Sequence, residues 1–521
     1  MSKILRDPIW GDIKLTDEEV RIIDNHQFQR LRGIKQLGLA YLVYPGATHS
    51  RFLHSIGTVA AAQAIISAMA SEGPALDEET RRVIRVVALL HDVGHVPFAH
   101  LLEDEAGLYS PRHDSPARVQ PMLDSLGPAV PAEAVEVLLG RSKPDRLYIQ
   151  DVVSNTICAD LIDYIQRDGH FSGATGLRFK FDERILGYFK VVPDRKRAMR
   201  LAIEPVKDKI RLDVITDLLQ LLRYRYVLTE RMTYHHAKLA ASAMLVKAVA
   251  LLGPPDLSEF AGMSDEQFFA FLSHHDGPGR EVASDLISRL QDRQLHKPVF
   301  RLTRKAVSAQ MTVEEFADKY GSPKGRSELE QAIVDEASRL VRPKVIHDGD
   351  IVLYTSPDPK MTMKEVDVLV RWKGNEAIPL RDVLAEEYWE SVNREEVEAL
   401  EHRYGALWTS GVFVNPSLRN VTYEIEKACE RVLDMENDPL LRQALSREHS
   451  YSDIVLAQTF VDDTGLARLA VEISQRTDTK LSREERLRRS VQEAIRLRGA
   501  ESQPEDAKRD PKGLDDYASE S

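Results

Sequence analysis

Two cysteines, Cys158 and Cys429, are all that 521 residues contain. That is too few for a disulfide framework and fits a reducing, cytoplasmic setting. The chain has no basic tail either. Its formal net charge of −12 gives bulk electrostatics that favour neither nucleic acid nor an anionic membrane, leaving only a local basic groove for the former. Met1 to Asp7 lacks the apolar stretch of a signal peptide, and no uninterrupted apolar run reaches bilayer-spanning length. There is no internal repeat, no Walker loop and no dinucleotide-binding glycine pattern. Disulfide scaffolds, membrane-spanning proteins and P-loop enzymes are thereby set aside. What is present is a chain 43% hydrophobic and 29% charged, long enough to bury a large core in more than one lobe.

The first 250 residues read as mostly helical. Ser55 to Met69 is rich in small and apolar residues (Ala60, Ala61, Ala62, Ile65, Ile66), the signature of a helix buried on most sides. Glu79 to Leu90 alternates arginines with Val83, Ile84, Val87, Ala88, Leu89 and Leu90, an amphipathic helix that delivers His91. Breaks fall at Gly107 to Pro111 and at Gly127 to Pro131. Helical spacing returns over 209–252, ending at Gly253-Pro254-Pro255, and continues over 256–340.

From Pro343 the texture changes. Val345-Ile346, Asp350 to Tyr354, Val366 to Trp372 and Gly411 to Val414 are β-branched segments between turn residues, with Ile378-Pro379-Leu380 joining them. Residues 420–447 and 481–498 return to helical spacing, and the composition after Gly499 predicts disorder. The expected fold is mainly α. A helical core occupies 1–250, a helical extension 251–342, a small α+β region with helices 343–498, and a disordered acidic tail 499–521.

Chemistry concentrates in the first third. Arg51-Phe52-Leu53-His54-Ser55 is followed by His91-Asp92-Val93-Gly94-His95, and then by Asp160 in Ala-Asp-Leu-Ile-Asp-Tyr. Two imidazoles and two carboxylates on separate helices make a mixed nitrogen and oxygen metal site. Adjacent residues on a helix point roughly 100° apart, so an ion bound by both His91 and Asp92 must sit near the helix end. Gly94 is placed to end that helix. Asp163 competes with Asp160 for the fourth position. Carboxylates favour Mg²⁺ or Mn²⁺ and imidazoles favour Fe, Ni or Zn, so the identity of the one divalent ion stays open. His95 follows His91 by four residues and shares its face if the helix persists that far.

These stretches, together with Asp7-Pro8-Ile9-Trp10-Gly11, Gln27 to Arg32, Ile34 to Gly38 and Tyr44 to Phe52, resemble the HD-domain metal-dependent phosphohydrolases. More narrowly, they are similar to the deoxynucleoside triphosphate triphosphohydrolases, the group of the SAM-and-HD-domain protein and the bacterial dGTPases. The likeness covers residues 1 to about 240 well. It implies His54, His91, Asp92 and Asp160 as metal ligands. It also implies His100 as general acid, Glu103 as its carboxylate partner, and His95 and His113 as phosphate contacts. Arg51 would hold phosphate, Gln36 and Leu37 would pack against the sugar, Tyr164 and Asp168 would hold its 3′ side, and Tyr234 would close under the ribose. Leu161 stands where the relatives carry a phosphate-binding lysine; Arg225, Arg231 and Lys238 are candidates to replace that cation.

The implied reaction is hydrolysis of a dNTP at the α-phosphorus, giving deoxynucleoside and triphosphate. The resemblance further implies a homo-oligomer and an activating guanine-nucleotide site built from Lys3, Asp24, Gln29 and Arg32. Two alternatives stay in view. One is a hydrolase of another nucleotide phosphate ester, such as a monophosphate or modified nucleotide. The other is an HD protein that binds nucleotide or nucleic acid as a sensor or effector. No Gly-Tyr-Pro motif follows, which disfavours the cyclic-dinucleotide branch, and no acidic pair follows His91-Asp92, which disfavours the guanosine tetraphosphate branch.

Overall fold

The computed structural model describes residues 2–71, 75–175, 181, 183–204, 212–341, 346–356, 368–372, 376–380, 382, 392–445, 464–474 and 483–501. The chain divides into two compact units, Met1–Asp438 and Pro439–Ser521.

The first unit opens on a hairpin that the helical reading of 1–250 did not foresee. Strands β1 (Lys3–Asp7) and β2 (Gly11–Leu15) pair antiparallel around Asp7-Pro8-Ile9-Trp10-Gly11. Gly11 sits at φ +74, a conformation costly for any residue with a Cβ. Helix α1 (Asp17–Ile23) comes next, with a reciprocal capping box between Thr16 and Glu19.

Two long helices then set the site. Helix α2 (Arg51–Ser71) carries His54 in its first turn. Its Arg51–Ala70 stretch is long and apolar enough to cross a bilayer by length and mean hydropathy, although Arg51, His54 and Gln63 interrupt its apolar run. Two-thirds of that window (67%) is nevertheless buried inside the protein. Helix α3 (Glu78–Leu90) starts at Asp77, whose side chain accepts from the Thr80 amide, and buries an unbroken row from Val86 to Leu90. It stops at Leu90, so the helix does not persist to His95, and residues 91–94 form a turn. Gly94 therefore serves a different purpose from the expected helix stop. A Cβ there would overlap the His113 carbonyl, which passes directly over it.

Helix α4 (Ala159–Ser172) packs on α2 and ends at Gly173 in the left-handed conformation. The contact is tight at Gly57 of α2, where a Cβ would overlap the Asp163 carboxylate and the Arg167 guanidinium. Gly57→Ala is accordingly expected to destabilise the protein by about 1–3 kcal/mol, the usual range for overpacking a filled core. Thermal unfolding measures this; an unchanged midpoint would show that α2 and α4 can part at no cost.

The middle of the chain also departs from a purely helical reading. Strands β3 (Phe189–Pro193) and β4 (Met199–Ile203) form a second hairpin. Helices α5 (Leu212–Leu228) and α6 (His236–Leu252) supply the expected helical stretches, separated by a π-turn at Thr229–Thr233. Helix α6 is buried on nearly every side, with Lys238 neutralised by Glu105 and Lys247 by Glu330. Lys297–Thr303, inside the stretch expected to be helical, is strand β5; its Val299, Phe300 and Leu302 are all buried.

The expected C-terminal strands are present as β6 (Ile351–Thr355), β7 (Leu369–Trp372), β8 (Glu376–Pro379) and β9 (Thr409–Val414). They do not form one lobe. Sheet order β5-β9-β6 is antiparallel, while β3-β4-β7-β8 adds β7 parallel to β4 of the N-terminal region. Val345, Val366 and Asp367 lie outside the described residues.

In the second unit, helices Thr464–Ser474 and Arg483–Glu501 bury Ala470, Val471, Leu487, Val491 and Ala494 together. The helix passes Gly499, and the remainder of the expected acidic tail lies outside the described residues.

Candidate metal centre and its cavity

His54, His91 and Asp160 reach one another although they come from α2, the end of α3 and the start of α4; their potential ligand atoms all lie within 4.8 Å. His54 Nε2 is 3.0 Å from Asp160 Oδ1 and 3.7 Å from Asp92 Oδ2. His91 Nε2 is 3.5 Å from Asp92 Oδ1 and 3.7 Å from Asp160 Oδ1. Three of the expected ligands thus converge, and Asp92 lies beside them with Oδ2 bound to Arg51.

Each imidazole is locked from behind. His91 Nδ1 donates to the Ala88 carbonyl at 2.8 Å, and His54 Nδ1 donates to Asp163 at 2.8 Å. A carbonyl can only accept, so His91 Nδ1 carries a proton, and both Nε2 atoms point inward. Both Nε2 atoms are buried with no hydrogen-bond partner among the described residues. Asp163, the rival for the fourth position, therefore lies behind His54 and not beside the ion site.

That brace runs to the N-terminal hairpin. Asp163 accepts from Arg167 Nε and Nη2, each at 2.8 Å, and from Trp10 Nε1 at 2.7 Å. Arg167 Nη1 reaches Asp7 Oδ2 at 2.9 Å, while Asp7 Oδ1 caps the hairpin turn at the Ile9 and Trp10 amides. Outer partners of a metal-binding histidine typically govern affinity 10- to 100-fold. Asp163→Asn is expected to weaken divalent-metal binding by about that factor, read by chelator competition. Unchanged affinity would make the brace a matter of packing alone.

Electrostatics match a cation site. Burial works against protonating His54, yet Asp160 and Asp163 outweigh it and raise its pKa to about 10. Burial likewise opposes the charge of Asp163, but Arg167 and His54 hold its pKa down to about 2. Asp92 stays well below the ordinary carboxylate range against its own burial, because His91, Arg51 and His95 surround it. These carboxylates stay ionised and demand positive charge. The residues fit a divalent ion held by His54, His91, Asp92 and Asp160.

The centre opens into a cavity of about 1020 Å³, at the upper end for ligand pockets. Gln36, Leu37, Arg51, Tyr164 and Asp168 line it, as does Leu161. Arg51 is bound to Asp92, and Asp168 is held by His49 Nε2 at 2.8 Å. Tyr234 is not among the described residues lining the cavity; it packs against both apolar cores after the π-turn. Of the three candidate replacement cations, Arg225 lines the cavity beside Leu161. Lys238 is taken by Glu105, and Arg231 Nη1 donates to the Ala174 carbonyl.

His95, His100 and His113 form a second cluster. His95 stacks on His113 at 3.6 Å between centroids and 17° between planes. Ring lone pairs lie in the ring planes, so stacked rings cannot aim both at one ion; the cluster suits phosphate contact better than metal. His95 is fully buried with neither ring nitrogen hydrogen-bonded, and burial followed by Arg51 and His113 pushes its pKa well down.

One expected pairing is corrected. Glu103 does not touch His100: it accepts from the His113 amide at 2.9 Å, faces His113 Nδ1 at 3.1 Å and binds Arg118 at 2.7 Å. His100 Nδ1 pairs with Asp104 Oδ2 at 2.7 Å. The spacing of four residues could have signalled this, since i and i+4 side chains share a helical face.

Other contributors were silent in the sequence. Arg30 donates to the His95 carbonyl at 2.6 Å and to the Val93 carbonyl, so a buried guanidinium shapes the turn. Asp265 accepts from the Lys35 amide at 3.0 Å and the Phe98 amide at 2.7 Å. It ties the segment leading to Gln36 to the segment leading to His100, in which Phe98 and Ala99 stand at positive φ (62 and 58). The expected regulatory residues form two pairs, Lys3 with Asp24 at 2.8 Å and Arg32 with Gln29 at 2.8 Å.

A histidine–aspartate centre at the junction of three helices defines the HD class, and the HD domain family matches residues 51–168, with an HD associated region at 219–443. The chain carries an HD domain followed by an HD associated region. It is 38% identical over 171 residues to an uncharacterized protein of Methanocaldococcus jannaschii, covering 33% of this chain and 34% of that one. It is 27% identical over 365 residues to a deoxynucleoside triphosphate triphosphohydrolase SAMHD1 homolog of Dictyostelium discoideum, covering 65% and 68%. It is 47% identical over 103 residues to deoxynucleoside triphosphate triphosphohydrolase SAMHD1 of Homo sapiens, covering 19% and 16%. The chain thus spans about a third of the archaeal relative.

Proposed function

We propose that the protein is a metal-dependent phosphohydrolase that cleaves deoxynucleoside triphosphates to deoxynucleoside and triphosphate. The observation that carries this reading is the pair of locked, inward-facing Nε2 atoms opposite Asp92 and Asp160 on the floor of a cavity of about 1020 Å³. A divalent ion held there would polarise a phosphoryl oxygen and lower the pKa of water. The chain's own groups do the rest. Arg51 and Arg225 draw phosphate toward the floor, and the rings of His95 and His113 offer hydrogen bonds to it. His100 presents Nε2 to the cavity and supplies the proton that the departing oxygen requires. Leu37, Tyr164 and Asp168 meet the sugar.

Leu161 favours a second reading. It is buried, apolar and part of the cavity wall, which suits a substrate with fewer phosphates, such as a nucleoside monophosphate or modified nucleotide. Purified protein with Mn²⁺ and each dNTP or NTP, its products resolved as nucleoside, monophosphate and released phosphates, decides between them. Deoxynucleoside with triphosphate is the expected result, and dATP should exceed ATP. Equal rates on both would remove the deoxyribose preference, and pyrophosphate release would move the point of attack. Nucleotide binding without any product would favour a sensor.

We also propose a homo-oligomer with the Asp24 to Arg32 segment near a subunit boundary, supported by Ile4, a large apolar side chain 58% exposed beside the Lys3–Asp24 pair. Light scattering should give a mass above one chain, raised further by GTP or a second dNTP, and Arg32→Ala should abolish that response. A monomer under all conditions would overturn this.

A further inference from the structure

We propose that His49 is the positioning residue of the sugar site: its ring sets Asp168 and its carbonyl sets Gln36, so one buried residue governs recognition of the 3′-hydroxyl. The inference rests on Asp168 meeting the sugar in the function proposed above, and assigns the group through which that carboxylate is aimed.

His49 lies in the loop just before α2, and its side chain has no exposed surface. The ring stacks on Phe171 of α4, with centroids 4.8 Å apart and planes at 22°. The loop itself is pressed against the end of that helix: a Cβ on Gly46 would overlap the Phe171 carbonyl. The His49 carbonyl accepts the Gln36 amide at 2.9 Å, beside the isolated bridge between Lys35 and Ser50. Nε2 then reaches Asp168 Oδ1 at 2.8 Å. A carboxylate accepts, so Nε2 donates, while Nδ1 is buried with no partner among the described residues.

Both residues that His49 holds lie on the cavity wall with hydrogen-bonding capacity to spare. Asp168 is 5% exposed, and no hydrogen bond among the described residues takes its Oδ2. Gln36 Oε1 is buried and likewise without a partner among them. Polar atoms shut away from water require a partner. With Oδ1 engaged by His49, Oδ2 is left to accept from a 3′-hydroxyl, and Gln36 closes the same wall. The ring also decides which way the carboxylate faces. Without its donor, a buried carboxylate turns to water or takes a proton, and either change removes the acceptor.

The test measures kcat/KM with Mn²⁺ for dATP and for 2′,3′-dideoxyadenosine triphosphate, which differ only in the 3′-hydroxyl. Wild type should prefer dATP by about 10–10²-fold, the contribution of a hydrogen bond to a charged group. His49→Phe keeps a ring to stack on Phe171 but removes the donor, and its preference should fall below about threefold. His49→Gln, whose amide nitrogen can stand in for Nε2, should keep the preference within about threefold of wild type. It also guards against a phenylalanine variant that fails to fold. A wild-type preference retained in His49→Phe, at full or reduced rate, would overturn the assignment, because a merely structural residue slows both substrates alike. A preference lost equally in both variants would overturn it too. Wild type that hydrolyses dATP without regard to the 3′-hydroxyl would sink the sugar-site role and leave the triphosphohydrolase reading intact. Wild type that hydrolyses neither nucleotide would sink that reading itself.

Discussion

Asp92→Ala protein, purified in parallel with wild type, will carry no divalent metal and will show no turnover above background. The expectation comes from the arrangement of charge. Asp92 Oδ1 and Oδ2 face His91 and His54 respectively, and the same carboxylate neutralises Arg51. Removing it deletes a ligand and leaves a buried guanidinium beside the ion's place, so attraction is replaced by repulsion in a region shielded from water. Loss of a single partner from a buried charge set typically costs about 3–5 kcal/mol, equivalent to roughly 10²–10³·⁵ in an equilibrium constant. Elemental analysis of both proteins reads the result. Full metal occupancy together with wild-type activity would dismiss the ligand set.

His100→Ala should separate chemistry from metal. It is expected to cut turnover by about 10²–10⁴, the scale for general acid–base groups, with metal content unchanged. The reason is spatial: His100 faces the cavity and contacts Asp104, while none of the four ligand groups is bonded to it. Its ring meets His95 edge-on at 4.7 Å and His113 at 5.1 Å, so truncation leaves the stacked pair behind it in place. Unchanged turnover would make His100 structural and transfer the acid role to His95 or His113. Metal loss would mean that the two clusters are one site.

What the sequence could disclose depended on how local each determinant is. Periodicity sufficed for the helices that carry His54, His91 and Asp160, because burial on one face leaves a repeating mark. The hairpins Lys3–Leu15 and Phe189–Ile203 escaped because five-residue strands give too few alternations to stand out from a helical background. Strand Lys297–Thr303 escaped for the same reason, its pairing with Thr409–Val414 being set more than a hundred residues away. The ligand set came from order and context, yet the roles of individual carboxylates did not. Whether Asp160 or Asp163 faces the ion depends on which side of the His54 ring each approaches. Whether Glu103 or Asp104 serves His100 depends on one hydrogen-bond register in a five-residue turn. The first is not encoded in spacing; the second is hinted at only by the four-residue spacing of His100 and Asp104. Asp265 and Arg30 left no signal because they act on backbone amides and carbonyls, which every residue possesses.

The Asp7–Arg167–Asp163–His54 chain of contacts bears on what counts as a minimal unit. The segment that is recognisable as an HD domain begins at Arg51, yet Asp7 and Trp10 brace His54 through Arg167 and Asp163 from outside that boundary, and Asp265 holds Phe98 from beyond the other. A fragment excised at 51–168 would keep every ligand and lose both outer supports. Residues 51–168 placed alone in another protein would need the contacts of Asp7, Trp10 and Asp265 rebuilt around them.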